Sequence, residues 1–455
     1  MFHCMHQALN HCKSGWLESV FDDAFLQSVV RQCEVTWRER ILNPMFTLRL
    51  FLLQILEGNI GCQALSQLSG RKFSSNAYCQ AGQRLPLRLF TTLLKTVTGG
   101  IQQRCELSGA DRWRGHRVLL IDGPGFSMPD TPALQSHFGR KRSQKKGCGF
   151  PVADSLMLMH HGSGLIEQLL VGTLKTGEAK LLTQLLDQLQ PGDVVVADSA
   201  YGSYGQIALL AERGVHVVFR VSKKRIVDFT PGRPHVIPES RNRQLNPGLP
   251  RSRWLWQWDA QDQIVQWLKP WKCPNWLKEK VWKSLPAELM LREVRYDVSQ
   301  KGFRTRSVTL VTTLLDAQNY PVDALADLYR RRWEIETNFR HLKMTLKMDV
   351  LKCQTVAGVL KEMTMFCIVY NLVRLAMGIV ARKQNKPLQH ISFQHTLHWM
   401  LAGASGDTIE LIHTRQPRPD RIEPRVRKRR AKNYNAMTTH RAKLRQMLIN
   451  KQPTA

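Results

Sequence analysis

An α/β fold built on a mixed sheet is expected for this chain. An all-helical region precedes that core, a β-rich insertion interrupts it, and a basic helical or extended tail closes the chain. Three observations predict this. Two continuous apolar runs, Val118–Ile121 and Val194–Ala197, have the length of strands buried on both faces, and an Asp follows each. Between residues 117 and 221 three strand-like runs give way to helix, strand, helix, strand, the order of an α/β sheet. Upstream of residue 105 the chain reads as helical throughout.

Taken in order, residues 1–105 read as an all-helical region, an accessory or DNA-binding domain if its pair of short helices reads a groove. Phe46–Leu56 is a short apolar helix ending near Gly58, and Cys62–Leu68 and Asn76–Arg84 flank a basic turn that starts at Gly70. Such a pair fits either a helix-turn-helix in a major groove or a plain packing unit. Residues 106–221 hold the first part of the core. There a strand ends at Asp122-Gly-Pro, a basic loop runs from Arg140 to Lys146, and strands Leu156–His160 and Leu165–Val171 form a hairpin around Gly162 and Gly164. Helix Ala179–Leu189, strand Asp193–Asp198, helix Ile207–Arg213 and strand Val215–Val221 follow.

Residues 222–303 break the pattern and read as a separate β-rich insertion. They hold seven of the twelve Trp residues, with Arg253–Trp258 alternating as a strand does. These aromatics either pack a small β-layer or stack on splayed bases. Residues 304–380 return to the core with strand Arg306–Leu314 and a helix over Val322–Lys352, a stretch without Pro or Gly. Residues 381–455 carry the run Arg427-Lys-Arg-Arg430 and read as a DNA-contacting or dimerising arm, or as a solvated tail.

Lys and Arg outnumber Asp and Glu by 66 to 36, a net charge of +30, which predicts a polyanionic partner and salt-sensitive binding. Charge alone also fits a ribosome or an anionic membrane. The ten cysteines include no C-x-x-C pair, which is reduced, intracellular usage. Met1–Cys12 lacks the apolar core of a signal peptide, and Asn371 and Arg374 interrupt the most apolar helix, Met363–Met377. A cytoplasmic protein without a membrane span is expected.

The chemistry centres on Tyr329 to Lys343. At about 100° per residue, Arg332, Glu336 and Lys343 fall within roughly 60° of Tyr329. Leu328, Ile335, Phe339, Leu342 and Leu346 form an apolar stripe beside them, so the polar stripe is expected to line a cleft. The plainer reading is a solvated face with an Arg332–Glu336 pair, worth a few tenths of a kcal/mol. Upstream, Asp122 and Asp198 close buried strands. If those strands are neighbours, both carboxylates meet at one end of the sheet. Each Asp also reads as a strand-end turn former. Asp154 and Asp193, at strand starts, are assigned to the opposite end.

The spacing Tyr329-x2-Arg332-x3-Glu336-x6-Lys343, with Trp333 and Ile335 around the Glu, resembles the signature of a group of bacterial insertion-sequence transposases. These are the YREK subgroup of the DDE class, in the insertion sequence four family. The resemblance runs from about Phe46 to the basic tail. It implies a ribonuclease-H-like core in which Asp122, Asp198 and Glu336 are the catalytic carboxylates. They would hold Mg²⁺ in a two-metal site, with Mn²⁺ as a substitute, as hard oxygen ligands do. Tyr329, Arg332 and Lys343 would hold DNA phosphates near the cut. The implied function is cut-and-paste transposition. A homodimer would bind the element's terminal inverted repeats in double-stranded DNA, cleave them and join the 3′-OH ends to target DNA in the bacterial nucleoid.

Three positions depart from the family's pattern. Pro124 stands where Ser or Thr is usual, Ser199 where Arg is common, and Ser307 and Val308 where some relatives carry a base-stacking Trp used in forming a DNA hairpin. Two alternatives stand beside the transposase. One is a ribonuclease-H-like nuclease without strand transfer, and the other a non-catalytic DNA-binding relic.

Overall fold

The structure, a computed structural model, describes residues 23–104, 112–140, 149–174, 176–236, 248–298, 307–402, 412 and 439–450. The basic loop at 141–146, the tail at 413–438 and the first 22 residues lie outside the described residues. Among those described, five helices come first: α1 (Asp23–Gln32), α2 (Pro44–Leu56), α3 (Cys62–Leu68), α4 (Ser75–Arg84) and α5 (Leu87–Arg104). Local chemistry sets their starts. The Asn43 side chain accepts the Phe46 N–H at 2.9 Å with Pro44 opening α2, and Ser74 caps α4 through the Ala77 N–H. Leu50 and Leu53 of α2, Leu65 of α3 and Tyr78 of α4 share one small core, which docks α3 and α4 on α2.

The core that follows is a mixed sheet. Its strands are β1 (Val118–Asp122), β2 (Phe126–Ser127), β3 (Val152–His160), β4 (Ile166–Thr173), β5 (Val194–Ala197) and β6 (His216–Arg220). They continue as β7 (Ser252–Asp259), β8 (Asp262–Leu268), β9 (Glu288–Asp297) and β10 (Ser307–Thr312). Across the sheet the order is β4-β3-β1-β5-β6-β10-β9-β8-β7. The central β1, β5 and β6 run parallel and the remaining pairings are antiparallel. β2 lies beside β3 in the register of β1, so residues 123–125 are a short excursion from the sheet directly after Asp122.

The helices between these strands are α6 (Pro132–Phe138), α7 (Glu178–Leu185), α8 (Tyr204–Ala211) and α9 (Glu279–Ser284). After β10 come α10 (Val322–Arg331), α11 (Trp333–Arg340), α12 (Val356–Lys383), α13 (Phe393–Leu401) and α14 (Arg441–Ile449). Side chains alternate across a strand, and here both faces are covered. Leu119, Ile121, Val195 and Ala197 pack with Leu181, Leu185 and Ile207 of α7 and α8. Val118, Leu120, Val194 and Val196 pack on the other side with Leu325 and Leu328 of α10 and Phe366 of α12. That double burial is why β1 and β5 are uninterrupted apolar runs.

α12 is the one helix among the described residues long and apolar enough to cross a membrane, yet 83% of its most apolar window is buried in the protein. Its polar residues dock it. Asn371 accepts the Ile166 N–H at 2.8 Å and donates to Ile166 O and Thr98 Oγ1, and Arg374 donates to Ser163 O.

Two expectations need correction. The Trp-rich segment is no separate layer, because β7, β8 and β9 extend the core sheet through β10. Strand pairing is non-local, and the alternation of Arg253–Trp258 cannot show which edge it joins. Its aromatics divide. Trp267 and Trp282 are buried, whereas Trp256, Trp258 and Trp271 are exposed. The helix expected over residues 322–352 is instead α10, α11 and a π-helical turn, His341–Thr345. At the first break the Arg332 N–H bonds Tyr329 O and the Ile335 N–H bonds Arg332 O, both tightened three-residue links. At the second the Leu346 N–H reaches five residues back to His341 O, and Lys347 ends the turn at φ +64°. The extra residue in the turn keeps Leu342, Leu346 and Met348 all buried, a tertiary demand that overrides local periodicity.

Candidate active site

Asp122 is the last residue of β1, and Asp198 directly follows β5. The two strands are parallel neighbours, with Leu119 opposite Val195 and Leu120 opposite Val196. Carrying that register on puts Asp122 level with Asp198. Alternation continued from Leu120 and Val196 aims both toward the face covered by α10 and α12. The condition stated from sequence, that the strands be neighbours, is met. Both residues also make the turn bonds that the plainer reading gives them. Asp122 Oδ1 accepts the Gly123 N–H at 2.8 Å, and Asp198 Oδ1 accepts the Ala200 N–H at 2.8 Å. Burial pushes the Asp122 carboxyl above the usual carboxylate range, and the Asp198 charge adds to this. The Gly123 N–H, Arg332 and Lys343 pull the other way.

The 329–343 segment brings cations to this end of the sheet. The Arg332 side chain is only 10% exposed, sits over the rings of Tyr329 and Trp333, and lies 3.6 Å from Glu336 Oε1. Lys343 Nζ donates to Gly125 O at 3.0 Å, in the excursion that follows Asp122, and lies 4.9 Å from the Phe126 ring centroid. Tyr329 reaches the same end of the sheet from inside the protein, within reach of Arg332 and of the Asp198 charge. It is 4% exposed and part of the buried core, and burial pushes its phenol up while Arg332 and Arg220 oppose that shift.

Asp198, Arg332 and Lys343 therefore all lie within electrostatic reach of Asp122, and Glu336 is paired with Arg332. Among the described residues no three His, Cys, Asp or Glu side chains form a group able to hold a metal ion. The donor chemistry at the Asp pair still suits a hard cation, since hard ions prefer carboxylate oxygens.

The assignment of Asp154 to the far end of the sheet is overturned. β3 runs antiparallel to β1 with Asp122 opposite Met157, so Asp154 lies at the Asp122 end. Asp193 is at the far end as expected, paired with Arg117 at 2.6 Å. Sequence reasoning missed Glu178. Burial pushes its carboxyl up, Tyr201 lowers it by donating its hydroxyl at 2.9 Å, and Asp122, Asp198 and Asp154 raise it further. Its position as the first residue of α7 was the available signal.

A sequence model of the transposase DDE domain family matches residues 113–372, more than half of the chain. The chain is 27% identical over 267 residues to transposase InsG of insertion sequence element IS4 from Escherichia coli (strain K12), covering 58% of this chain and 53% of that protein. It is 24% identical over 270 residues to the transposase of IS231C from Bacillus thuringiensis subsp. berliner, covering 52% and 53%. The chain thus spans about half the length of these curated relatives. A chain of a piggyBac transposase synaptic complex with hairpin DNA aligns over 90% of this chain and 80% of its own, at 10% identity and a TM-score of 0.41, too distant to carry weight.

Proposed function

From the premise that this chain belongs to the transposase DDE domain family, we propose that it is a cut-and-paste DNA transposase of the YREK kind. The observation that carries the reading is the pair of parallel neighbour strands ending level on Asp122 and Asp198, beside the segment that bears Arg332, Glu336 and Lys343. Asp122, Asp198 and Glu336 would hold Mg²⁺, or Mn²⁺ in its place. A divalent cation bound there supplies activation of water and stabilisation of the leaving 3′ oxygen in phosphodiester cleavage.

The chain's own residues do the positioning. Lys343 and Arg332 bring positive charge to the phosphates flanking the cut, and Tyr329, buried beneath Arg332, holds that guanidinium in place. The core, residues 106–221 and 304–380, is ribonuclease-H-like. Residues 222–303 are the insertion, and residues 1–105 and 381–455 contact DNA or the second protomer of a homodimer. The substrates are the inverted repeats of the element and a target duplex, met in the cytoplasm on nucleoid DNA. A charge of +30 supports a DNA partner.

The test is a supercoiled plasmid carrying the gene's native flanking DNA, incubated with purified protein and Mg²⁺, with all new ends sequenced. Paired breaks at two inverted sites, followed by joining to a target, are expected. Scattered cuts without joining would identify a nuclease, and binding without cuts a DNA-binding relic. A second prediction isolates Lys343. Lys343→Ala should weaken binding to the element's ends roughly 3- to 10-fold at near-physiological salt. The slope of log affinity against log salt should become shallower by about 0.9, the loss of one phosphate contact. An unchanged slope in a salt titration by fluorescence anisotropy would count against the phosphate role.

A further inference from the structure

Gly123, the residue after Asp122, admits no side chain. A Cβ built there would stand 2.6 Å from Ser155 O and 2.8 Å from the carboxylate of Glu178. Glu178 reaches this point as the first residue of α7, after Gly177 at φ +68°. Its Oε2 accepts the hydroxyl of Tyr201, a residue only 1% exposed and three positions beyond Asp198. One carboxylate therefore lies against the residue next to one Asp and is fastened by a buried residue in the loop that follows the other. A carboxylate within electrostatic reach of two others destabilises the metal-free protein unless something uses the charge.

We propose that Glu178 is a positioning residue of the Asp122–Asp198 site, supplying the negative field that draws a divalent cation there, with Tyr201 fixing its carboxylate. The proposal rests on the transposase reading of that site. Glu178 acts through the two aspartates and the charge it adds to their end of the sheet.

The charge and the packing separate by sign. Glu178→Gln keeps the shape and an acceptor for Tyr201, but removes one of several like charges. The metal-free variant should therefore melt at the same temperature as the parent or higher. Its affinity for Mn²⁺, measured by isothermal titration on the full chain, should fall about 5- to 20-fold. Tyr201→Phe should lower Mn²⁺ affinity less, and Glu178→Asp should recover part of the loss. A merely structural Glu178 would give the opposite pattern, a lower melting temperature with unchanged Mn²⁺ affinity, and would overturn the proposal.

Asp122→Asn measured alongside tells the two levels apart. If it loses Mn²⁺ binding while Glu178→Gln does not, the inference fails and the site stands. If Asp122→Asn binds Mn²⁺ like the parent, the reading of the site fails and takes the inference with it. Should Glu178→Gln not fold, Tyr201→Phe with unaltered Mn²⁺ affinity overturns the proposal on its own.

Discussion

Glu336→Gln is expected to bind the element's ends as the parent does and to lose cleavage by on the order of 10³-fold or more, a transition-state loss of at least about 4 kcal/mol. Gln has the volume and one acceptor of Glu but no charge, so it cannot serve as a carboxylate toward a divalent cation. Folding should hardly notice. The Glu336 side chain is 47% exposed and its Arg332 contact is 3.6 Å long, a pair of the kind that contributes about 0–1 kcal/mol. The measurement is a gel-shift titration on end-containing duplex beside a time course of strand cleavage, with a thermal melt of both proteins. A variant that melts and binds normally but cleaves at the parent's rate would remove Glu336 from the catalytic set. One that neither binds nor melts normally would move the residue into the fold.

Much of this arrangement was legible because its physics is local. Burial on both faces makes β1 and β5 read as unbroken apolar runs, and the following Asp marks the point where each chain must turn. The apolar run Phe46–Leu56 and the turn at Gly70 place the N-terminal helices without reference to anything distant. The features that escaped depend on partners far along the chain. Asp154 was set at the wrong end because a strand start lies at the far end only if the strand runs parallel to its neighbour, and β3 does not. The break at Arg332 has no Pro or Gly to announce it. It arises where Arg332 turns inward over Tyr329 and Trp333. Glu178 was passed over because its position at the start of α7 says nothing of its place beside Gly123 and Tyr201, which exists only after the sheet has formed.

The Trp-rich segment was misread for the same reason, and it gives the largest expected effect on stability. Asp262, at the start of β8, and Arg292 on β9 form an ion pair with side chains 3% and 0% exposed, Arg292 Nε lying 2.7 Å from Asp262 Oδ1. Arg292 also donates to Tyr320 O at 2.7 Å, just ahead of α10, so this one guanidinium ties β8 and β9 to the lead-in of the segment bearing Arg332 and Glu336. Asp262→Ala leaves a buried cation whose carboxylate is gone, and such one-sided losses cost about 3–5 kcal/mol. Substituting both partners with apolar residues, Asp262→Leu with Arg292→Met, should cost far less, since neither charge then needs compensation. Urea unfolding of the parent, the single variant and the double variant measures the difference. If β7–β9 were a unit apart from the core, Asp262→Ala would unfold that unit alone, and a first transition would appear while the core transition kept its midpoint. In a continuous sheet the whole transition moves, and cleavage at moderate temperature falls with it because α10 loses its anchor. A single variant as stable as the parent would mean that the pair carries no such weight, and that β7–β9 hold to the core through the backbone ladder between β9 and β10 instead.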